Sequence, residues 1–315
     1  MRTLHDVDDW ADLNAMSLPD LYATQIDREH LDALIRLARE EDLGTAGDVT
    51  SQSIIDPQRR AAASLRTRRA GSAAGLPTME SVLRIFGGDV TIIDHVDDGT
   101  ACAAGSELAQ IRGNLRSILA AERTLLNLVG RLSGIATITR SYVEAIGGTG
   151  ATICETRKTT PGWRDLEKYA ARCGGATLHR AGLYDALLYK DNHLAHLGVN
   201  EFADALRNAI DDAQAAGPLR FVEVEVDTLE QFEAVLPIAH THMHIVLLDN
   251  MTPDQLRDAV ALRDDRAPEL RLEASGGITL ENVRAVAETG VDRISVGAIT
   301  HAAAALDIGL DVVDA

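Results

Sequence analysis

Lysine is nearly absent from this chain. Of 30 basic residues only three are lysine, at 158, 168 and 190, which leaves 27 arginines. Cysteine is scarce too: Cys102, Cys154 and Cys173 are odd in number, widely spaced and form no Cys-x-x-Cys pair. This argues against a zinc knuckle or a disulfide framework and fits a reducing compartment. Positive charge as a whole is short, with 48 acidic residues against 30 basic and a formal net charge of −18. No basic tail or extended basic face offsets that excess, which argues against nucleic acid and anionic membranes as partners. No apolar run approaches membrane-spanning length, and the first residues, MRTLHDVDDWADL, are acidic rather than a basic-then-apolar leader. A cytoplasmic location is expected.

The basic residues that are present are concentrated. All three lysines fall in one 33-residue window. Lysine is a compact, mobile point charge with an adjustable pKa, which arginine cannot replace at a reactive or phosphate-gripping site. Lys158 stands beside Arg157 in ETRKTTPG, and Lys190 opens KDNH. Lys168, inside the helical stretch LEKYA, reads as a surface lysine.

Periodicity divides the chain into two textures. Residues 1–25 read as a loose extension, and LDALIRLAREED as an amphipathic helix followed by the loop GTAGDVTS. Strand-like segments AAASLRTRRAG, DVTIIDHVDDGT and ELAQIRG then predict a small α+β domain over residues 1–126. Residues 114–146 are predicted to form two helices parted near Ser133 and Gly134. After Gly147, apolar strands (ATICETR, ALLYKDNH, LRFVEVEVD, HIVLLDNM, LRLEASGGI, DRISVGAIT) alternate with amphipathic helices. That alternation means parallel β with helical crossovers. Nearly every strand ends in groups able to do chemistry, which favours a (β/α) barrel, incomplete or open, over a doubly wound sheet with one switch point. The expected fold class is therefore α/β, with the barrel over residues 127–302 and residues 303–315 packing back on the smaller domain.

Three constellations carry chemistry. Ser275, Gly276 and Gly277 end one strand just before a helical stretch, and Gly297 ends the next, an arrangement suited to phosphate. In FVEVEVD, Glu223 and Glu225 share one face of a strand, and Asp249 ends the strand that follows. Paired carboxylates need a cation nearby, and an oxygen-only set suits Mg²⁺, although Glu223 alone could pair with an internal base. Opposite them stands a positive group, Arg157, Lys158, His179, Arg180 and Lys190, which in so acidic a chain implies a polyanionic ligand.

At these residues the sequence resembles the quinolinate phosphoribosyltransferases. ETRKTTPGWRDLEKYA, GGATLHRAGLYDALLYKDNH, VEVEVD, LLDNM, EASGGI and ISVGAITH carry the likeness, which extends through EEDLGTAGDVTS and AERTLLNLVGRLSGIAT to cover roughly residues 30–312. The resemblance implies phosphoribosyl transfer from phosphoribosyl pyrophosphate to quinolinate with decarboxylation, a step of NAD biosynthesis. It implies that Arg157, Lys158, His179 and Arg180 grip quinolinate, and that Lys190 with Lys158 faces phosphoribosyl pyrophosphate. Glu225 and Asp249 would hold ribose hydroxyls and Mg²⁺, and Ser275, Gly276, Gly277 and Gly297 the 5′-phosphate. Lys158, Lys190, Glu225 and Asp249 would be the catalytic set. Arg123, in AERTLLN, would reach the site of a neighbouring subunit in a homodimer or larger assembly. Alternatives are a relative of the family linked to molybdenum transport and a barrel aldolase or decarboxylase using Lys190 as a Schiff-base nucleophile.

Overall fold

Three acceptor side chains start the first helices of the computed structural model, which describes residues 13–313. The Ser17 hydroxyl accepts from the Asp20 N–H, Asp27 from the N–H groups of Glu29 and His30, and Asp48 from that of Ser51. Each meets backbone donors that a helix start leaves unpaired. The helices are Leu18–Gln25, Arg28–Leu43 and Val49–Ile54. Residues 17–25 are therefore no loose extension, since Leu21 is fully buried; residues 1–12 lie outside the described residues. Likewise DVTS is a cap and a short helix rather than a loop.

Strands β1 (Arg60–Thr67), β2 (Gly71–Ser72), β3 (Val90–His95), β4 (Ala101–Cys102) and β5 (Glu107–Asn114) follow. β5 lies between β1 and β3, antiparallel to both, and β2 pairs with β4. One helix then runs from Leu115 to Ala145 without interruption. The break expected at Ser133 and Gly134 is absent. Ser133 accepts from the Ala74 N–H through its hydroxyl (3.0 Å), and a Cβ on Gly134 would lie 2.9 Å from Ala305 Cα. Gly134 is there for close backbone approach, not to end the helix.

The second half holds β6 (Thr152–Cys154), β7 (Leu187–Tyr189), β8 (Val222–Val226), β9 (Ile245–Asp249), β10 (Arg271–Ser275) and β11 (Arg293–Ser295). They form one parallel sheet in the order β6-β11-β10-β9-β8-β7. A lone parallel bridge from Cys154 to Thr177 extends it past β6. Helices Phe202–Ala216, Leu229–His242 and Pro253–Arg266 make the crossovers, and β8 is buried along its whole length. This is the α/β, open-barrel architecture that the strand-helix alternation predicts.

Strand β12 (Ile308–Val313) returns to pair with β1, giving the order β12-β1-β5-β3. Where the sequence reading puts one boundary near residue 126, the chain forms two compact units that exchange segments. One comprises Ser17–Arg140, Thr159–Gly175 and the segment from Ala302; the other comprises Ser141–Lys158 and Ala176–His301. Inside the first unit the helix Arg164–Cys173 is tied by Glu167 to Arg131 (2.7 Å) and by the Tyr169 hydroxyl to Asp98 (2.9 Å). Among the described residues no helix is long and apolar enough to cross a membrane.

Candidate active site

The barrel strands are short, so the chain leaves the sheet early and its next residues stand at the strand ends. After β6 come Glu155, Arg157 and Lys158. Glu155 is buried and accepts the His179 N–H at 2.7 Å, which holds the segment carrying His179 and Arg180 beside β6. Arg180 is also buried, and the following loop is closed by Asp185, which accepts from the N–H groups of Ala181 (2.7 Å) and Gly182 (3.0 Å). Burial, and then the neighbouring Arg157 guanidinium, pull the Arg180 pKa down. Glu223, Asp185 and Glu225 act on Arg180 in the opposite direction, so part of its charge is balanced within the protein.

Lys158 is held through its backbone: its N–H donates to the Thr156 hydroxyl (3.0 Å) and its C=O accepts from the Thr300 hydroxyl (2.7 Å). Its side chain crosses Gly297, where a Cβ would lie 2.9 Å from Lys158 Cδ and 3.3 Å from the His301 ring. Lys158, Gly297 and His301 thus share one corner. His301 went unassigned in the sequence, although it directly follows the strand-end run ISVGAIT.

Lys190 follows β7 and binds Glu225 of the adjacent β8 through an Nζ–carboxylate contact. Glu225 is buried while Lys190 remains half-exposed. Asp227 lies beyond Glu225, and its pKa is pushed up by burial, then by Asp249 and Asp191, against the pull of Lys190. The strand ends therefore gather Glu225, Asp227, Asp249 and Asp191 around one lysine. An oxygen-only donor set with excess negative charge fits Mg²⁺. Among the described residues, however, three metal-type donors within 4.8 Å of one another occur at His179, Glu223 and Glu273, not at Glu225 and Asp249. A cation at Glu225 and Asp249 must draw its other ligands from substrate or water.

Ser275 ends β10 in register with Asp249, and Gly276 (φ 90°) and Gly277 (φ 61°) turn the chain away. Asn282 braces this turn, accepting the Thr279 N–H and donating to the Gly277 C=O, both at 2.8 Å. The next helix begins only at Val283. The helix terminus expected to assist an anion here is thus several residues away, and the glycine backbone N–H groups remain as donors.

Under Arg180 lies a closed charge network. His179 Nε2 is 3.1 Å from Glu223 and 3.3 Å from Glu273, and Arg293 Nε donates to Glu273 at 2.7 Å. Burial disfavours charge on His179, but Glu273 and Glu223 outweigh it and raise its pKa to about 9. The Arg180 N–H donates to His179 Nδ1 at 2.8 Å, which favours the neutral ring with its proton on Nε2 and opposes the pull of the two carboxylates toward a charged one. Burial would raise the Glu273 pKa, but His179 and Arg293 hold it far below the carboxylate range; Glu223 moves up, through burial and Glu273. The raised His179 pKa and the Arg293 guanidinium on Glu273 both oppose a metal ion in this cluster. Glu273 and Arg293 were missed in the sequence. The signal was there, a charged residue inside each of two apolar strands, paired in register.

Two expected residues lie in the other compact unit. Arg123 is exposed on the long helix. Lys168 is not a surface lysine: it is 1% exposed, and burial raises the pKa of nearby Asp165 against the pull of His30 and then Lys168.

The chain is similar to known proteins in both sequence and fold. A family model described as quinolinate phosphoribosyl transferase, C-terminal domain, matches residues 135–311, and the corresponding N-terminal domain model matches residues 48–133. The nicotinate-nucleotide pyrophosphorylase (carboxylating) of Mycobacterium leprae is 45% identical over 280 residues, 88% of this chain and 95% of that protein. The probable enzyme of the same name from Bacillus subtilis is 41% identical over 272 residues, covering 86% and 90%. The solved nicotinate-nucleotide pyrophosphorylase from Francisella tularensis superposes with a TM-score of 0.82 at 34% identity, covering 91% of this chain and 98% of that one.

Proposed function

The chain belongs to the quinolinate phosphoribosyltransferase family, and we propose that Arg157, Lys158, Arg180 and the Lys190–Glu225 pair hold its two anionic substrates side by side. The reaction transfers the phosphoribosyl group of phosphoribosyl pyrophosphate to quinolinate, with loss of one carboxylate as carbon dioxide. Nicotinate mononucleotide and pyrophosphate are the other products. The observation that supports the assignment of roles is the gathering of basic groups in one barrel sheet: Arg157 acts on buried Arg180, and Lys190 contacts Glu225 of the adjacent strand.

Arg157 and Arg180 take the quinolinate carboxylates, with fork geometry orienting the pyridine ring. His179 supports Arg180 from beneath, through its Nδ1 contact with the Arg180 N–H. Ser275, Gly276, Gly277 and Gly297 cradle the 5′-phosphate with backbone N–H groups. Glu225 and Asp249 accept the ribose hydroxyls and would hold Mg²⁺, which when bound would supply positive charge beside the pyrophosphate. Lys190 exchanges its contact with Glu225 for the diphosphate, and Lys158 approaches from the Gly297 side. Positive charge positioned where the leaving group develops its own charge lowers the barrier, and holding both substrates in contact contributes several kcal/mol more. The pyridine nitrogen bonds to C1′ as the bond to pyrophosphate breaks. The resulting ring cation accepts the electron pair released when the adjacent carboxylate departs. Arg123 completes the site of a second subunit, so the working species is at least a dimer in the cytoplasm.

A coupled assay tests this reading. Protein, phosphoribosyl pyrophosphate and Mg²⁺ are mixed with quinolinate or with nicotinic acid, and nicotinate mononucleotide and carbon dioxide are followed together. Product from quinolinate alone, lost on chelation, is expected; equal product from nicotinic acid would remove the dicarboxylate assignment. Borohydride treatment with substrate should leave Lys190 unmodified, and a trapped adduct would replace phosphoribosyl transfer by Schiff-base chemistry.

A further inference from the structure

Among the described residues, Asn250 is the only non-glycine residue with positive φ, at 55°. Asparagine tolerates this conformation better than most residues but does not favour it, so the surroundings must enforce it. Three contacts do so. The Asn250 N–H donates to the Ser275 C=O at 2.9 Å, tying the end of β9 to the end of β10. Its Nδ2 donates to Asp249 Oδ2 at 2.6 Å. A carboxylate can only accept, so the amide oxygen must face the other way, toward Gly276. There a Cβ would collide with the Asn250 amide, 2.6 Å from Cγ, and would lie 2.9 Å from the Asn250 backbone N. Glycine is thus required at 276 twice, by its φ of 90° and by the packing of Asn250.

One residue therefore touches both halves of the presumptive phosphoribosyl site. Through its side chain it fixes one oxygen of the hydroxyl-binding carboxylate and leaves the other free. Through its backbone and amide oxygen it fixes the first two residues of the phosphate turn. A ribose phosphate presents its hydroxyls and its phosphate at a set separation, so the protein must set a matching distance between Asp249 and Ser275-Gly276. We propose that Asn250 is the positioning residue that sets this distance, selecting ligands that carry both ribose hydroxyls and a 5′-phosphate. The inference rests on the phosphoribosyl reading of the site but assigns a residue which that reading does not use.

The test measures binding as well as turnover, with ribose 5-phosphate and inorganic phosphate as calorimetric probes on the full chain. Asn250→Gly keeps the left-handed backbone without strain and deletes the amide. Its affinity for ribose 5-phosphate should fall about tenfold, the effect of one hydrogen bond to a charged group. Its affinity for inorganic phosphate should stay within about twofold, because the turn keeps its own donors. KM for phosphoribosyl pyrophosphate should rise while KM for quinolinate does not. Asn250→Asp keeps the shape but sets a carboxylate against Asp249, and it should lose more than Asn250→Gly. Equal loss for both probes, or ribose 5-phosphate affinity like wild type in Asn250→Gly, overturns the positioning role. Absence of ribose 5-phosphate binding in the wild-type protein would instead overturn the phosphoribosyl reading itself.

Discussion

Two sets of charge in the same barrel sheet are treated in opposite ways. Around Glu273, every charge has an opposite within reach: Arg293 and the His179 Nε2 proton face Glu273 and Glu223, all of them buried. At the strand ends just beyond, Lys190 meets Glu225, but like charges also adjoin. Arg157 adjoins Arg180, and Asp227 adjoins Asp249 and Asp191. A closed set of buried charges can be balanced by protein alone; an open set, in which like charges adjoin, gains further from a ligand of opposite charge. The difference separates residues that hold the barrel from residues proposed above to hold substrate, a distinction that residue type alone does not make.

Breaking the open set should have the largest effect. Arg180→Ala removes one of two carboxylate grips in a buried site, and kcat/KM for quinolinate should fall about a thousandfold with unfolding unchanged. A fall shared by stability would move Arg180 into the closed set. Next is Glu273→Gln, which leaves Arg293 buried beside a neutral amide and should cost about 3 kcal/mol of stability, read from the urea midpoint. Its effect on turnover should be much smaller, and the reverse pattern would erase the comparison. Lys190→Ala should lower kcat about a hundredfold, as expected for loss of a charge aimed at a leaving group. Arginine at 190 should not restore it, because the guanidinium fork is not a mobile point charge.

The sequence disclosed the open set far better than the closed one. Arg157, Lys158, Lys190, Glu225 and Asp249 fall at strand ends, where chemistry is looked for in an alternating strand-helix pattern, Arg180 follows the lone bridge at Thr177, and all six strands occur where their apolar runs lie. Glu273 and Arg293 sit within strands, and only their pairing in register across β10 and β11 shows what each is for. Lys168 misled for a related reason: its helix is polar by sequence, yet the side chain is buried. Gly134 misled because a glycine that admits a neighbouring backbone looks, in one dimension, like a glycine that ends a helix.

The smallest expected effect sharpens the comparison through pH. The Glu273 pKa is held down against burial by His179 and Arg293, with Cys154 and Glu223 also in contact range. A depressed carboxylate contributes stability that is present above its unfolded pKa, about 4.3, and is lost as pH falls through the folded value. Below pH of about 4.3 the unfolded chain therefore takes up a proton that folded Glu273 refuses, and the urea midpoint should drop. Glu223, with its pKa moved up, acts with opposite sign over a higher range, because the folded state protonates first and gains slightly as pH falls. Wild-type protein should thus show a shallow maximum of stability in mildly acid solution before the fall. Glu273→Gln should flatten the acid limb, since the group that refused the proton is gone. Parallel acid limbs in the two proteins would show that other carboxylates dominate there and that Glu273 is not the centre of the balanced set.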